Sequence, residues 1–279
     1  MGFRVLLLSD AQEIVAAFEH AFEPLSLSLM IAPPTCLLDE QHISTLLEKE
    51  SPSIIIYAGR PNIEGLSRLV EHASQRDVPV IMQSSYHVFG EGQGALHESD
   101  TPLPLCAEGQ HWLACESVVL SWPHAIVVRL PWTLTPATDD AFDEGALDKL
   151  CRAILNANTI DVSEVAAGSL IAWDEAARIV SAMVQQLLCG ANNWGVFHLH
   201  SSDSCSEAEL ADALARLLKA EGMQVAELVA TKQTAPHWLS RNACLVGRRC
   251  TDNFGIQLKS FRVGLKGQVK AWLQRQSVN

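Results

Sequence analysis

Met82–Glu116, MQSSYHVFGEGQGALHESDTPLPLCAEGQHWLACE, joins three kinds of local structure in one segment. It begins at the end of an apolar run, Val78–Gln83, and finishes inside Glu108–Leu120, where helix formers replace the Gly- and Pro-rich loop. That is a strand, a long loop and a helix. The same cadence recurs on either side of it. Phe3–Leu8 is a compact apolar run that reads as a buried parallel strand, and Ile14, Val15, Phe18 and Phe22 follow it near helical spacing. Pro33-Pro34 marks a turn, Ile43–Glu48 a helix, Ser53–Tyr57 (SIIIY) a β-branched strand, Ile63–Gln75 a helix and Ala125–Leu130 a further strand. Strands alternating with helices predict an α/β fold, a Rossmann-like doubly wound parallel sheet.

Beyond Pro136 the acidic run TDDAFDEGALD opens a different region. Helices are expected over Ala146–Asn156 and Asp174–Cys189, with a strand over Gly195–His200. SDSCSEAEL reads as a capped helix start, with Ser204 or Ser206 as the cap and the helix running to Ala220. An amphipathic helix over Phe261–Leu273 closes the chain. The organisation expected is a nucleotide-binding-type domain over residues 1–160 and a smaller C-terminal α/β region over 161–279, partly interleaved with the first sheet.

The 279 residues can bury a large core, and 48% hydrophobic content with 19% charged residues describes a globular chain. A formal net charge of -12 repels nucleic acid and anionic membranes, and no basic run offsets it, so neither is expected as a partner. MGFRVLLLSD has too short an apolar run for a signal peptide, and no stretch reaches the ~18 apolar residues of a membrane span. None of the eight cysteines forms a C-x-x-C pair, which fits reduced thiols in a cytoplasmic protein.

The Met82–Glu116 stretch resembles the active-site segment of the dTDP-4-dehydrorhamnose reductase family, a branch of the extended short-chain dehydrogenases. Ser84 and Ser85 fall on that family's Ser-Thr pair, Val88 and Phe89 on its Val-Phe, and Gly109, Leu113 and Glu116 on later markers. VVRLPWTL, GSLIAWDEAARIV, GVFHLHSSDSCSEAELADAL and SRNACLVGRRCTDNFGIQLKSFRVGL match four further family segments in order. The resemblance implies a nucleotide-sugar reductase in which a Tyr protonates the substrate carbonyl and a Lys lowers the pKa of that Tyr. Those two positions are Glu108 and Trp112 here, and no Tyr-x-x-x-Lys exists, because Pro61 and Gly90 stand four residues after Tyr57 and Tyr86.

The resemblance also locates the cofactor turn. A dinucleotide pyrophosphate needs glycines for close backbone approach. LLLSDAQEIV instead places Ser9, Gln12 and Val15 at the glycine positions and adds Asp10 and Glu13 nearby. Asp39 matches an acidic position that often lies near the adenosine, or else serves as a helix cap. No cofactor is therefore expected, with NAD(P) as the alternative. Substrate-pocket candidates are Ser84, Ser85, Trp132 and Arg241, whose guanidinium fork suits phosphate. His198-x-His200 lacks companion ligands, so no metal site is expected. Cys106 and Cys115 read as buried, inert thiols. Two functions follow. One is a non-catalytic binding, regulatory or scaffold protein, working with an enzyme or other protein partner, as a homodimer, or with a nucleotide-sugar-like ligand. The family offers a precedent in a regulatory subunit of methionine adenosyltransferase. The other is a reductase or epimerase of a nucleotide-sugar with altered residues.

Overall fold

The computed structural model describes residues 2–90, 95–134, 146–232 and 242–276. Its first half runs β1 (Arg4–Leu8), α1 (Gln12–Phe22), β2 (Ser28–Ala32), α2 (Glu40–Glu50), β3 (Ile54–Tyr57), α3 (Ile63–Gln75), β4 (Val80–Ser85), α4 (Ala107–Val119) and β5 (Ala125–Leu130). It continues through β6 (Trp132–Thr133), α5 (Ala146–Asn156), β7 (Thr159–Ser163), β8 (Ala167–Ile171), α6 (Trp173–Leu188) and β9 (Gly195–His198). The remaining elements are β10 (Ser204–Ser206), α7 (Glu207–Ala220), β11 (Glu227–Thr231), β12 (Asn242–Ala243), α8 (Arg249–Phe254) and α9 (Arg262–Gln276).

Six strands form one parallel sheet in the order β2-β1-β3-β4-β5-β9. The fold class read from the sequence is therefore the observed one. Alternation along the strands serves two cores, which is why they read as unbroken apolar runs. Val5, Leu7, Ile54, Ile56, Ile126 and Val128 face Phe18, Phe22, Ile179 and Met183 of α1 and α6. Leu6, Leu8, Ile55, Tyr57, Met82 and Val127 face Ile43, Leu47, Leu66 and Cys115 of α2, α3 and α4. A third core joins Trp132, Leu150, Leu170, Leu214 and Trp272 around the smaller sheet. That sheet has β8 paired with β10, β12 and β6, while β7 and β11 form a separate parallel pair.

Chain order reverses between β1 and β3, since β2 lies on one side of β1 and β3 on the other. In open α/β sheets the crevice beyond the carboxyl ends at this switch point is where ligands bind. The second half of the chain supplies β9 and α6 to the same sheet and core. Among the described residues no helix is long and apolar enough to cross a membrane.

Some elements differ from the sequence reading. β4 spans Val80–Ser85 rather than Val78–Gln83, because its pairing with β5 starts at Val80 and reaches Ser85 opposite Leu130. Pro79 has no N–H to give, and contributes only its carbonyl, which accepts from Ile55 N at 2.9 Å. β9 ends at His198 rather than His200. β2 was not anticipated: it is an edge strand with Ile31 exposed, and SLMIA carries no burial period.

Candidate functional site

A crevice of about 290 Å3 occupies the switch point. Asp10 enters it from the β1–α1 turn and Glu13 from the first turn of α1, Arg60 from the loop after β3, and Gln83, Ser84 and Ser85 from the end of β4. Glu108 and Trp112 project from α4, Thr133 follows β5, and Trp173 closes one side from the first turn of α6. Among the described residues, the side chains that bring formal charge are three carboxylates and one guanidinium. Gln83 Oε1 is buried without a hydrogen-bond partner among the described residues.

The start of α4 is clamped to the short turn after β4. A Cβ added at Gly109 would sit 2.0 Å from the carbonyl oxygen of His87, so only glycine lets the helix approach this closely. Cys106 caps the helix, with its Sγ accepting from Gly109 N at 3.3 Å. This docking brings Glu108 Oε1 to 3.6 Å from His87 Nδ1, and Ser85 Oγ lies 2.9 Å from the same nitrogen. Ser85 Oγ also accepts from the His87 backbone N–H at 3.3 Å, capping the turn. Glu108 remains about half exposed, whereas Trp112, one helical turn on, is 1% exposed.

Beneath the crevice lies an ionic network that the sequence reading did not assemble. Arg129 on β5 grips Glu116 of α4 bidentately, Nε to Oε1 at 2.9 Å and Nη2 to Oε2 at 2.7 Å. Ser84 Oγ donates to Glu116 Oε1 at 2.6 Å. All three residues are buried. The guanidinium also stacks over Phe89, 4.9 Å from the ring centroid, and Phe89 meets His198 edge-on. His198 holds the Val246 carbonyl through Nδ1 at 3.0 Å. Burial, then the neighbouring Arg129 charge, pushes His198 down to about 3, against the raising effect of that carbonyl. The readable signal was two charged residues in apolar surroundings, Glu116 in HWLACESVV and Arg129 in AIVVRL, since buried charges are seldom unpaired.

The predicted residues separate into groups. Ser84, Ser85, Glu108 and Trp112 converge on the crevice, although the Ser84 hydroxyl is turned to Glu116. Ser9 is buried at the end of β1, and its N–H donates to Ala32 O at 3.1 Å. Gln12 and Val15 lie on α1. Asp39 caps α2, accepting from Gln41 N at 3.0 Å. Trp132 is buried against the backbone of Gly168, where even a Cβ would come within 2.6 Å of the indole. Arg241 lies outside the described residues. Cys106 is exposed, contrary to its reading as a buried thiol, because it sits at the first turn of α4 where the chain enters from solvent; Cys115 is buried and pushed up to about 11, first by desolvation. Among the described residues no group of three or more His, Cys, Asp and Glu is placed to hold a metal ion. A larger cavity, about 440 Å3, lies between α1, α6 and the start of α9, but its Glu175 is already engaged by Arg178 at 2.6 Å and Lys259 at 3.5 Å.

Sheet order and crevice together define a doubly wound, Rossmann-like α/β protein. More narrowly, residues 57–273 match the family model of the RmlD substrate binding domain, and the chain belongs to that family. Its fold is shared with the dTDP-4-dehydrorhamnose reductase of Clostridium acetobutylicum at TM-score 0.81 and 15% identity, covering 98% of this chain and 100% of that one. The dTDP-4-dehydrorhamnose reductase of Bacillus anthracis, solved in complex with NADP, superposes at TM-score 0.75 and 14% identity over 99% of this chain and 100% of that one. MoeE5, in complex with UDP-glucuronic acid and NAD, gives 0.74 and 17% identity over 98% and 99%. No curated protein matches the chain.

Proposed function

We propose that this chain is a non-catalytic homologue of the nucleotide-sugar reductases, a binding, regulatory or scaffold protein. The observation that carries the reading is Trp112. In the family pattern this position holds the lysine that lowers the pKa of the catalytic tyrosine. Here a buried indole lines the crevice instead. An indole donates one hydrogen bond and carries no charge, so it cannot hold a neighbouring acid in its ionised form. Glu108, at the tyrosine position, sits on the exposed rim.

The cofactor position argues the same way. The relatives solved with NADP and NAD belong to a fold that sets the pyrophosphate on the first helix N-terminus. In this chain Asp10 of that turn and Glu13 in the first turn of α1 line the crevice, and both would bring negative charge to the phosphates. The residues present do not fit a dinucleotide in that pose.

A second reading, a reductase or epimerase with altered residues, draws on one observation. Ser85 Oγ and Glu108 Oε1 both approach His87 Nδ1, at 2.9 and 3.6 Å, which sets an imidazole between a hydroxyl and a carboxylate, the residue types of general acid–base catalysis. Turnover of a dTDP-4-dehydro sugar with NADPH decides between the readings. We expect no reduction above a protein-free control, and no rescue by Glu108→Tyr with Trp112→Lys, since the cofactor turn is also altered. Measurable turnover that Glu108→Gln abolishes would overturn the non-catalytic reading.

A further inference from the structure

We propose that the open edge of the large sheet, strand β2 with the groove beside α1, docks an extended peptide segment of alternating apolar and basic residues. The inference concerns this edge and not the crevice, so it stands or falls apart from the reading above.

The two edges of the sheet are finished differently. At β9 the outward main-chain groups are taken. Arg249 Nη1 donates to Val196 O at 2.6 Å, Cys250 Sγ to His198 O at 3.4 Å, and His198 N donates to Glu98 Oε1 at 3.4 Å. At β2 the outward groups are open. Ser28 N donates to Phe3 O and Ala32 O accepts from Ser9 N, so the parallel register with β1 turns the N–H and C=O of Leu29 and Ile31 away from the sheet. Among the described residues nothing hydrogen-bonds them. Native edges are usually blunted by charge, proline or a covering element. LSLSLMIA, residues 25–32, holds no charge and no proline, and Ile31 is 43% exposed.

Side chains supply the rest of the surface. Leu25, Leu27, Leu29 and Ile31 line a groove of about 490 Å3, with Phe22 of α1 opposite them. Every second residue of an added strand would point into it. The rim is acidic: Glu19 and Glu23 are exposed at the C-terminal end of α1, and among the described residues the lining holds no lysine or arginine. Carboxylates at that place oppose each other and the negative end of the helix, so a basic residue laid along the rim relieves both repulsions. His20, 4.0 Å from Glu23, adds charge only when protonated. The same charges turn away a second copy, because pairing β2 with its equivalent about a two-fold axis would set glutamates against glutamates. An edge of five residues suits a segment ~17 Å long.

The test follows a labelled heptapeptide of alternating lysine and valine by fluorescence anisotropy on the full chain. It should bind at least ~10-fold more tightly than the glutamate–valine peptide. Because the chain carries -12 overall, general attraction must be separated from strand addition. A lysine–valine peptide with methylated main-chain nitrogens keeps the charge and loses the donors, and should bind ~10-fold more weakly or worse. On the protein side, Ile31→Pro removes an outward N–H and leaves the ladder with β1 intact, so it should weaken binding by ~10-fold or more, against ~3-fold or less for Ile31→Ala, which keeps the N–H. Glu19→Gln with Glu23→Gln should weaken it by ~3-fold or more at low salt. Thermal melts would check that each variant folds, and the methylated peptide tests the parent chain whether or not Ile31→Pro does. Equal or tighter binding of the glutamate or methylated peptide, or no saturable binding up to ~1 mM, would overturn the proposal. So would a dimer in sedimentation that Ile31→Pro dissolves, since a second copy would then hold the edge.

Discussion

Glu108 and Glu116 stand two turns apart on one face of α4, with Trp112 between them, and their surroundings are opposite. Glu108 is at the rim, half exposed, with one partner at 3.6 Å. Glu116 is at the floor, 1% exposed, held by two arginine nitrogens and a serine hydroxyl within 2.9 Å. The floor ties α4 to β4 and β5, and so fixes the crevice walls. The rim is where a reductase of this family would keep its reacting groups. A charged network at the floor cannot lose one member without stranding another in a medium that solvates it poorly. A rim residue has water to fall back on and can change at little cost. Framework and rim are therefore held by different energetics.

The sharpest way to break this contrast is to remove Glu116. Glu116→Ala should destabilise by ~3–5 kcal/mol, because Arg129 would remain buried and uncompensated. At ~2–4 °C per kcal/mol for a chain of this size, the melting temperature should fall by roughly 6–20 °C. Pairing it with Arg129→Met should recover much of the loss. If Glu116→Ala melts within a degree or two of the parent, the floor is not structural. A smaller effect is expected from His198. Its folded pKa, about 3, lies below the ordinary 6.5, so both states are neutral above pH 6.5. As pH falls from there towards 3, the unfolded chain takes a proton that the folded one refuses. Stability should therefore drop at up to ~1.4 kcal/mol per pH unit from this group. His198→Gln keeps an N–H for the Val246 carbonyl but cannot titrate. Urea midpoints at pH 7, 5 and 4 should show a shallower acid loss in the variant than in the parent.

Much of the fold was legible because burial on both faces writes itself as apolar, β-branched runs. Ile63–Gln75 and Ala125–Leu130 appear with the boundaries read from sequence. β2 was illegible because a half-exposed edge strand obeys no burial period, and β6, β10 and β12 because two or three residues carry no period at all. At the site, the sequence pointed to Ser85, Glu108 and Trp112 through their family positions, and these do share one crevice. It missed that Glu116 meets Arg129, since a pair 13 residues apart on different elements is a fact of packing, not of spacing. It also did not foresee that His87 would approach Glu108. That contact depends on α4 docking at Gly109, which only the tertiary approach of the His87 carbonyl explains.

A milder test concerns a region remote from both ends of α4. Ser206 caps α7 through a full capping box, its Oγ accepting from Glu209 N at 3.1 Å while Glu209 Oε2 accepts from Ser206 N at 2.8 Å. Ser206→Ala should cost ~1 kcal/mol, seen as a small shift in urea midpoint without change in slope. A loss of ~3 kcal/mol would show that the helix start carries more than its cap.

The smallest effect expected is the one that decides whether rim and floor are independent. Glu108→Gln removes a half-exposed ion pair at 3.6 Å, an interaction worth ~0–1 kcal/mol. Eight residues of helix separate it from Glu116, about 12 Å along the axis, and Trp112 stands between them without a charge to relay. Sites that far apart with no shared partner add within ~0.3–0.5 kcal/mol. A double-mutant cycle over Glu108→Gln and Glu116→Ala should therefore show no coupling beyond that margin. The chain has one plausible bridge, since Ser85 reaches the rim through His87 while its neighbour Ser84 reaches the floor through Glu116. Those two hydroxyls point to opposite faces of β4, as successive strand residues do, so the bridge is broken at the backbone. A coupling of 1 kcal/mol or more would mean that β4 transmits strain between its faces, and that the rim could not have changed its chemistry without the floor answering.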